Sequence, residues 1–294
     1  MKKVLSVFVL SLLVSTSLLA KEYKWDEVKE CGENLFCDQK GDLITGVVRD
    51  YYKNGVLKFE GNAQDGKEEG SAKTYYENAI LQSELFYKNG VFEGLQKNYY
   101  SNGKIKEEIP YKNGNVDGVV KRYQETGELY LEFFVENGIE TVIKQYYKTG
   151  KLKSIWPVKD GKIDGIFKSY YENGILKSET HYKNDKFDGV SKYYTKYGNI
   201  DSEVEYKNDE IDGLYRRYHK NGRIELELNI KNLRPVGIGK FYRIDGSLEC
   251  EITFQNGLFY NFKFYDRNGR MKYDVSSPII LKILNLMYKN KLKI

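Results

Sequence analysis

Few side chains in this sequence have chemistry to offer: two histidines, His181 and His219, three cysteines, Cys31, Cys37 and Cys250, and carboxylates that return at a fixed interval. His181 stands two residues beyond Glu179, and an imidazole near a carboxylate is the raw material of general acid–base catalysis. Catalysis needs that pair in a unique cleft. Glu179 instead belongs to a series spaced by 23 or 24 residues, which on a repetitive surface is a ladder and not an acid facing a base. His181 and His219 therefore read as solvated strand and turn residues. Zinc requires three or four closely spaced Cys, His or carboxylate ligands, and none cluster here. Every serine near a histidine falls in a repeating column, so no nucleophilic triad is drawn. The Asn-Gly and Asp-Gly glycines do not open a helix as a phosphate loop would. The sequence predicts no enzyme, no metal and no cofactor.

Cys31 and Cys37 form a disulfide candidate that would staple a segment too short to build its own core, with two free thiols as the alternative. Cys250 falls in a column that holds Ser154, Ser178 and Ser202 in other repeats, and it reads as a buried free thiol.

The elements that must carry these residues are set by an internal repeat. Tyrosine recurs at Tyr51, Tyr75, Tyr99, Tyr123, Tyr146, Tyr170, Tyr194, Tyr218, Tyr242 and Tyr265. Four residues after each comes a glycine, from Gly55 to Gly269, with Ala79 as the exception, and two residues further an aliphatic residue or Met271. A second glycine recurs at Gly46, Gly70, Gly94, Gly118, Gly165, Gly189, Gly213 and Gly237, replaced by Thr141 and Tyr260. Two turns thus bracket each unit, and the segments between are rich in Tyr, Phe, Ile and Val. Asn-Gly pairs such as Asn173-Gly174 predict hairpin loops, because both residues tolerate positive φ.

Alternation assigns the faces. Counting from each Asn-Gly glycine, even positions are largely apolar (Leu176 and Tyr182; Leu228 and Ile230), while the fifth position is Glu60, Glu84, Glu108, Glu132, Glu179, Glu203, Glu227 or Glu251, broken by Ile155 and Asp274. A base, such as Lys168 or Arg216, precedes every column tyrosine by two residues. Two loop lengths fit. A two-residue loop sets each base opposite its glutamate, at ~0.2 to 1 kcal/mol per exposed pair, whereas a three-residue loop sets each tyrosine opposite its aliphatic partner. One hairpin cannot bury an apolar face alone, so neighbours must complete each layer. The expected fold is all-β: an elongated solenoid of about ten stacked β-hairpin repeats of 23–24 residues over 46–275, with an N-terminal cap over 21–45 and a short C-terminal helix over 276–294.

The pattern Tyr-x-x-x-Gly-x-Leu-x-x-Glu-x-x-Tyr-x-Asn-Gly-x-x-Asp-Gly, nearly complete from Tyr99 to Gly118 and from Tyr170 to Gly189, resembles the variant class of MORN (membrane occupation and recognition nexus) repeats. The resemblance covers about residues 46–275, and the chain departs from it at Ala79, Thr141, Ile155 and Tyr260. It implies an interaction scaffold with a protein partner. Many bacterial relatives carry a label as the antitoxin of a toxin–antitoxin pair, which implies a cytoplasmic partner and conflicts with the N-terminus of this chain.

That N-terminus, Lys2-Lys3 followed by an apolar run from Val4 to Ala20, predicts a signal peptide over 1–20 and export to the periplasm, cell surface or medium, with a retained membrane helix as the alternative. Of 47 basic residues two lie in that segment, and the remainder nearly balance 42 acidic ones, so the concentrated basic footprint of a nucleic-acid binder is missing. Ser276, Ser277 and Pro278 read as the start of a helix that either caps the last hairpin or, with its lysines, touches an anionic membrane surface. The partner expected is a protein or glycan, held on the outward face with its tyrosines and Lys/Glu ladder. Phe86, Tyr130 and Phe134 break the polar rhythm of that face and are its candidate contacts, unless they pack against a neighbouring strand.

Overall fold

Turn chemistry builds this fold. In the computed structural model, which describes residues 20–136, 139–255 and 258–276, two different reverse turns alternate. At Tyr171–Ile175 the Gly174 N–H donates to the Tyr171 carbonyl (2.8 Å) and the Tyr171 N–H to the Ile175 carbonyl (2.8 Å), and of these residues only Gly174 has positive φ, at +88°. This is a three-residue loop ending in a left-handed glycine, which selects between the two loop lengths that the Asn-Gly sequences fit. The two-residue loops lie at the opposite end of the hairpin. Asn184-Asp185 (φ +50° and +69°) connects Lys183 to Lys186 directly across the ladder, and Asp160-Gly161 and Asn208-Asp209 repeat the arrangement.

The second glycine of each repeat is therefore not itself the turn. Gly165 (φ +120°) follows a two-residue strand, Lys162–Ile163, at a break in register between the pairs Val158↔Ile163 and Ile155↔Lys168. A Cβ on Gly165 would stand 3.3 Å from the ring of Pro157 as well as occupying a disfavoured backbone region.

The first loop also resolves the two registers. Lys168 faces Glu179 and Ser169 faces Ser178; a bulge then shifts the pairing so that Tyr170 faces Leu176. Charge pairing and tyrosine–aliphatic pairing coexist because the extra residue, Lys177, is absorbed as a bulge opposite the Ser169–Tyr170 step.

Strand pairing joins consecutive hairpins edge to edge, as where Glu179 of one faces Lys192 of the next. Contacts divide the chain into two units, with the boundary between Glu93 and Gly94, inside the repeat array. In the unit that begins at Gly94, successive long strands pair antiparallel through to Met271–Val275. The other unit contains the Gly46–Tyr51/Leu57–Gln64 and Lys67–Tyr75/Leu81–Lys88 hairpins, plus Glu22–Lys24, which pairs parallel with Gly46–Tyr51. Among the described residues the protein is all β apart from one 3-10 turn at Trp25–Glu27. The signal segment falls outside the described residues except for Ala20, as does the C-terminal helix beyond Ser276.

Inward columns form the core. Leu226, Leu228 and Ile230 bury against Ile211, Tyr215 and Phe241, and Cys250, Ile252, Phe254 and Phe262 form a second cluster. Other repeats bury small polar residues in these columns and pair several of them, Ser169 with Ser178 at 2.6 Å and Trp156 Nε1 donating to Ser154 Oγ at 3.0 Å, while the buried Ser191 hydroxyl has no partner. In the N-terminal unit Tyr23, Ile44, Val48 and Ala63 cluster with Val28, Phe36 and Phe59. Cys31 and Cys37 are disulfide-bonded, and Cys250 is a buried free thiol whose pKa burial pushes up to about 12.

Candidate functional site

The sheet of the unit from Gly94 onward presents two parallel rows on its outward face. The first alternates in charge. Lys97, Glu108, Lys121, Glu132 and Lys144 face one another strand by strand, and after Ile155 the row resumes as Lys168, Glu179, Lys192, Glu203, Arg216, Glu227, Lys240, Glu251, Lys263 and Asp274. Each interior glutamate thus lies between two bases. Glu203 lies 3.5 Å from Lys192 and 3.7 Å from Arg216, and Glu227 lies 2.7 Å from Arg216. Ile155 leaves Lys144 and Lys168 facing an apolar residue; their ion pairs are with Glu132 (3.8 Å) and Glu179 (3.0 Å) on the far sides.

Five column tyrosines, Tyr123, Tyr146, Tyr194, Tyr218 and Tyr265, close this row from one side, their hydroxyls bonded to its glutamates. Tyr218 donates to Glu203 (2.8 Å), Tyr265 to Glu251 (2.8 Å) and Tyr123 to Glu108 (2.8 Å), in each case a glutamate of the preceding hairpin. Burial and the adjacent carboxylate push the phenols of Tyr123 and Tyr218 up to about 12.

The second row is apolar from Leu95 to Pro157 and mixed beyond it, where Ile166 faces His181 and Val190 faces Glu205. Leu95 faces Pro110, Val119 faces Phe134, Phe134 faces Val142, and Val142 faces Pro157. Its members Leu95, Val119, Phe134 and Ile166 are 45%, 41%, 40% and 44% exposed. Phe134 and Val142, with Lys144 from the charged row, line a shallow depression with Val119.

Six stretches match the model of the MORN repeat variant: residues 44–65, 68–89, 92–113, 140–160, 163–184 and 211–232. The chain is a MORN-repeat protein. One MORN match, 163–184, starts at the short strand that precedes the Gly165 bulge and ends in the two-residue loop, so it frames one hairpin. No curated protein matches the sequence at a significant level. Among solved structures, parts of the TcdB2-TccC3-TEV and TcdB2-TccC3-Cdc42 assemblies are similar at 12% identity, covering 75% and 84% of this chain with TM-scores of 0.20 and 0.14. The chain spans 14% and 18% of those chains.

Of the aromatic residues singled out in the MORN sequence, Phe134 occupies the middle of the apolar row and Phe86 is exposed, opposite Ser71 in the N-terminal unit, while Tyr130 is half-buried beside the bulge. Neither histidine stands free. His181 Nδ1 contacts the Val190 carbonyl, and His219 Nε2 lies 2.8 Å from the Tyr242 carbonyl.

His219 belongs to a column that sequence reasoning missed. The residue after several column tyrosines reaches the next MORN repeat: Tyr100, Tyr147 and Tyr171 hydroxyls donate to the carbonyls of Tyr123, Tyr170 and Tyr194 at 2.7 to 2.8 Å, and Arg243 donates to Tyr265 at 2.6 Å. Asn102, Asn173 and Asn221 likewise donate to the carbonyl of the residue 23 positions on. The doubled Tyr-Tyr of several repeats was the available signal.

Proposed function

We propose that this MORN-repeat chain is an exported, non-enzymatic scaffold that binds an extended protein segment carrying a carboxylate flanked by apolar side chains. The carrying observation is the conjunction at Ile155: an exposed apolar row containing Phe134 and Val142 runs beside the one point where the charge alternation skips an acid between Lys144 and Lys168. A partner carboxylate over Ile155 would supply the missing member of the row, while apolar neighbours two residues along would lie on the apolar row, matching the alternation of an extended strand. Contiguous exposed apolar surface rimmed by charge is the usual signature of such a face. Export is supported by the charged, then apolar, N-terminus and by the Cys31–Cys37 disulfide, which suits an oxidising compartment.

The test is a photo-crosslinking residue in place of Phe134, used in intact cells with fractionation of the product. A processed N-terminus outside the cytoplasm, together with a crosslinked protein that is lost when Ile155→Glu completes the row, is the expected result. An unprocessed cytoplasmic product bound to a toxin, or crosslinking indifferent to Ile155→Glu, overturns the reading.

A further inference from the structure

The first repeat breaks the inward pattern in a way the outward face does not explain. The inward positions six and eight residues after the turn hold Leu85 and Tyr87 in the second repeat and Leu228 and Ile230 in the eighth, but Gly61 and Ala63 in the first. Across the ladder Gly61 faces Ala72, and Ala63 faces Glu68. Three small residues thus lie together where neighbouring repeats place bulk, and a cavity of about 120 Å³ opens there. Gly61 needs no left-handed backbone. A Cβ there would meet the Phe59 ring at 2.5 Å, so the glycine keeps the space that this ring occupies.

The walls of this cavity include Trp25, Phe36, Phe59 and Tyr87, with Trp25 packed edge-on against Phe59 at 5.5 Å between ring centres. Glu68 is the one carboxylate in the lining, and no Lys, Arg or His joins it. The Glu68 carboxyl is half-buried and bonded to the Tyr87 hydroxyl, and burial raises its pKa against that bond. Aromatic walls and a desolvated carboxylate both favour a cation with an apolar shell. An anion would meet Glu68 and the π-faces unfavourably, and a neutral hydrocarbon would desolvate Glu68 further without pairing it. A cavity of about 150 Å³ accommodates benzene, so this one suits a group of a few heavy atoms.

We propose that this cavity in the N-terminal unit binds an organic ammonium group, with Trp25, Phe36, Phe59 and Tyr87 as its aromatic walls and Glu68 as its counter-charge. Two sources share that chemistry: a free quaternary amine and a methylated lysine side chain of a protein. The inference stands independently of the outward face and its partner.

Calorimetric titration of the full chain with choline, with its uncharged isostere 3,3-dimethylbutan-1-ol, and with a trimethyllysine peptide tests it. Choline or the peptide should bind at least tenfold more tightly than the isostere, and Glu68→Gln should remove most of that preference. Ala72→Phe, which fills the cavity, should abolish binding while circular dichroism stays that of a β protein. Peptide binding stronger than choline identifies a protein side chain as the ligand, and the reverse identifies a free amine. Equal affinity for choline and the isostere, absence of binding by the folded chain, or full retention by Glu68→Gln overturns the proposal.

Discussion

At the scale of single residues, the side chains that govern this protein are those linking one hairpin to the next. The Tyr171 hydroxyl donates to the Tyr194 carbonyl from a half-buried position, so Tyr171→Phe leaves that acceptor unpaired and should cost about 1 kcal/mol in urea denaturation. Tyr197 is 76% exposed, and Tyr197→Phe should change nothing measurable. Ile155 makes the opposite prediction. Placing a glutamate between Lys144 and Lys168 should stabilise the chain by roughly 0.2 to 1 kcal/mol, and 1 M salt should erase most of the gain. The periodic glutamates and lysines were legible in the sequence because each needs only its own strand's alternation. The hydroxyl and amide bonds to carbonyls 23 residues on were not, since they depend on how closely the next hairpin approaches.

At the scale of elements, the two turns differ because their glycines meet different demands. Ala79 occupies the left-handed loop position at φ +65° that glycine fills in the other repeats. A Cβ is disfavoured there, so Ala79→Gly should raise the unfolding free energy by about 1 kcal/mol. Gly165→Ala should lower it by at least that amount, because the bulge combines φ +120° with the Pro157 ring 3.3 Å from the new methyl. Thermal or urea melts of both variants, read as opposite shifts, check the assignment of one glycine to a loop and the other to a bulge. Asn-Gly in isolation favours a two-residue loop, yet the sequence fits two- and three-residue loops alike. The strand pairing overrode the preference, and the two-residue geometry went to Asn184-Asp185 and its counterparts.

At the scale of the whole chain, the tyrosines couple stability to alkaline pH. Burial and neighbouring carboxylates hold the phenols of Tyr123, Tyr146, Tyr194 and Tyr218 above their ordinary value near 10, and the Glu179 hydrogen bond raises Lys168 as well. A raised pKa means that the folded chain keeps protons the unfolded chain has released. This contribution is therefore intact below about pH 10 and is lost as pH climbs toward and past 12. Urea midpoints should stay level from pH 8 to 9.5 and fall steadily above; a midpoint unchanged at pH 11.5 would remove the tyrosine–glutamate links from the account.

The sequence by itself determined the period, the strand content and the division into inward and outward faces, because all of these follow from alternation within a hairpin of fixed length; it left open whether each base faces its glutamate. Only the tertiary structure decided where the bulges fall, that base and glutamate pair across the ladder, that column tyrosines such as Tyr218 are tied to the preceding hairpin, that the apolar row runs beside the gap at Ile155, and that Gly61, Ala63 and Ala72 meet at one cavity. Those features arise between residues on different strands, and their geometry is fixed when strand edges join and the register is chosen.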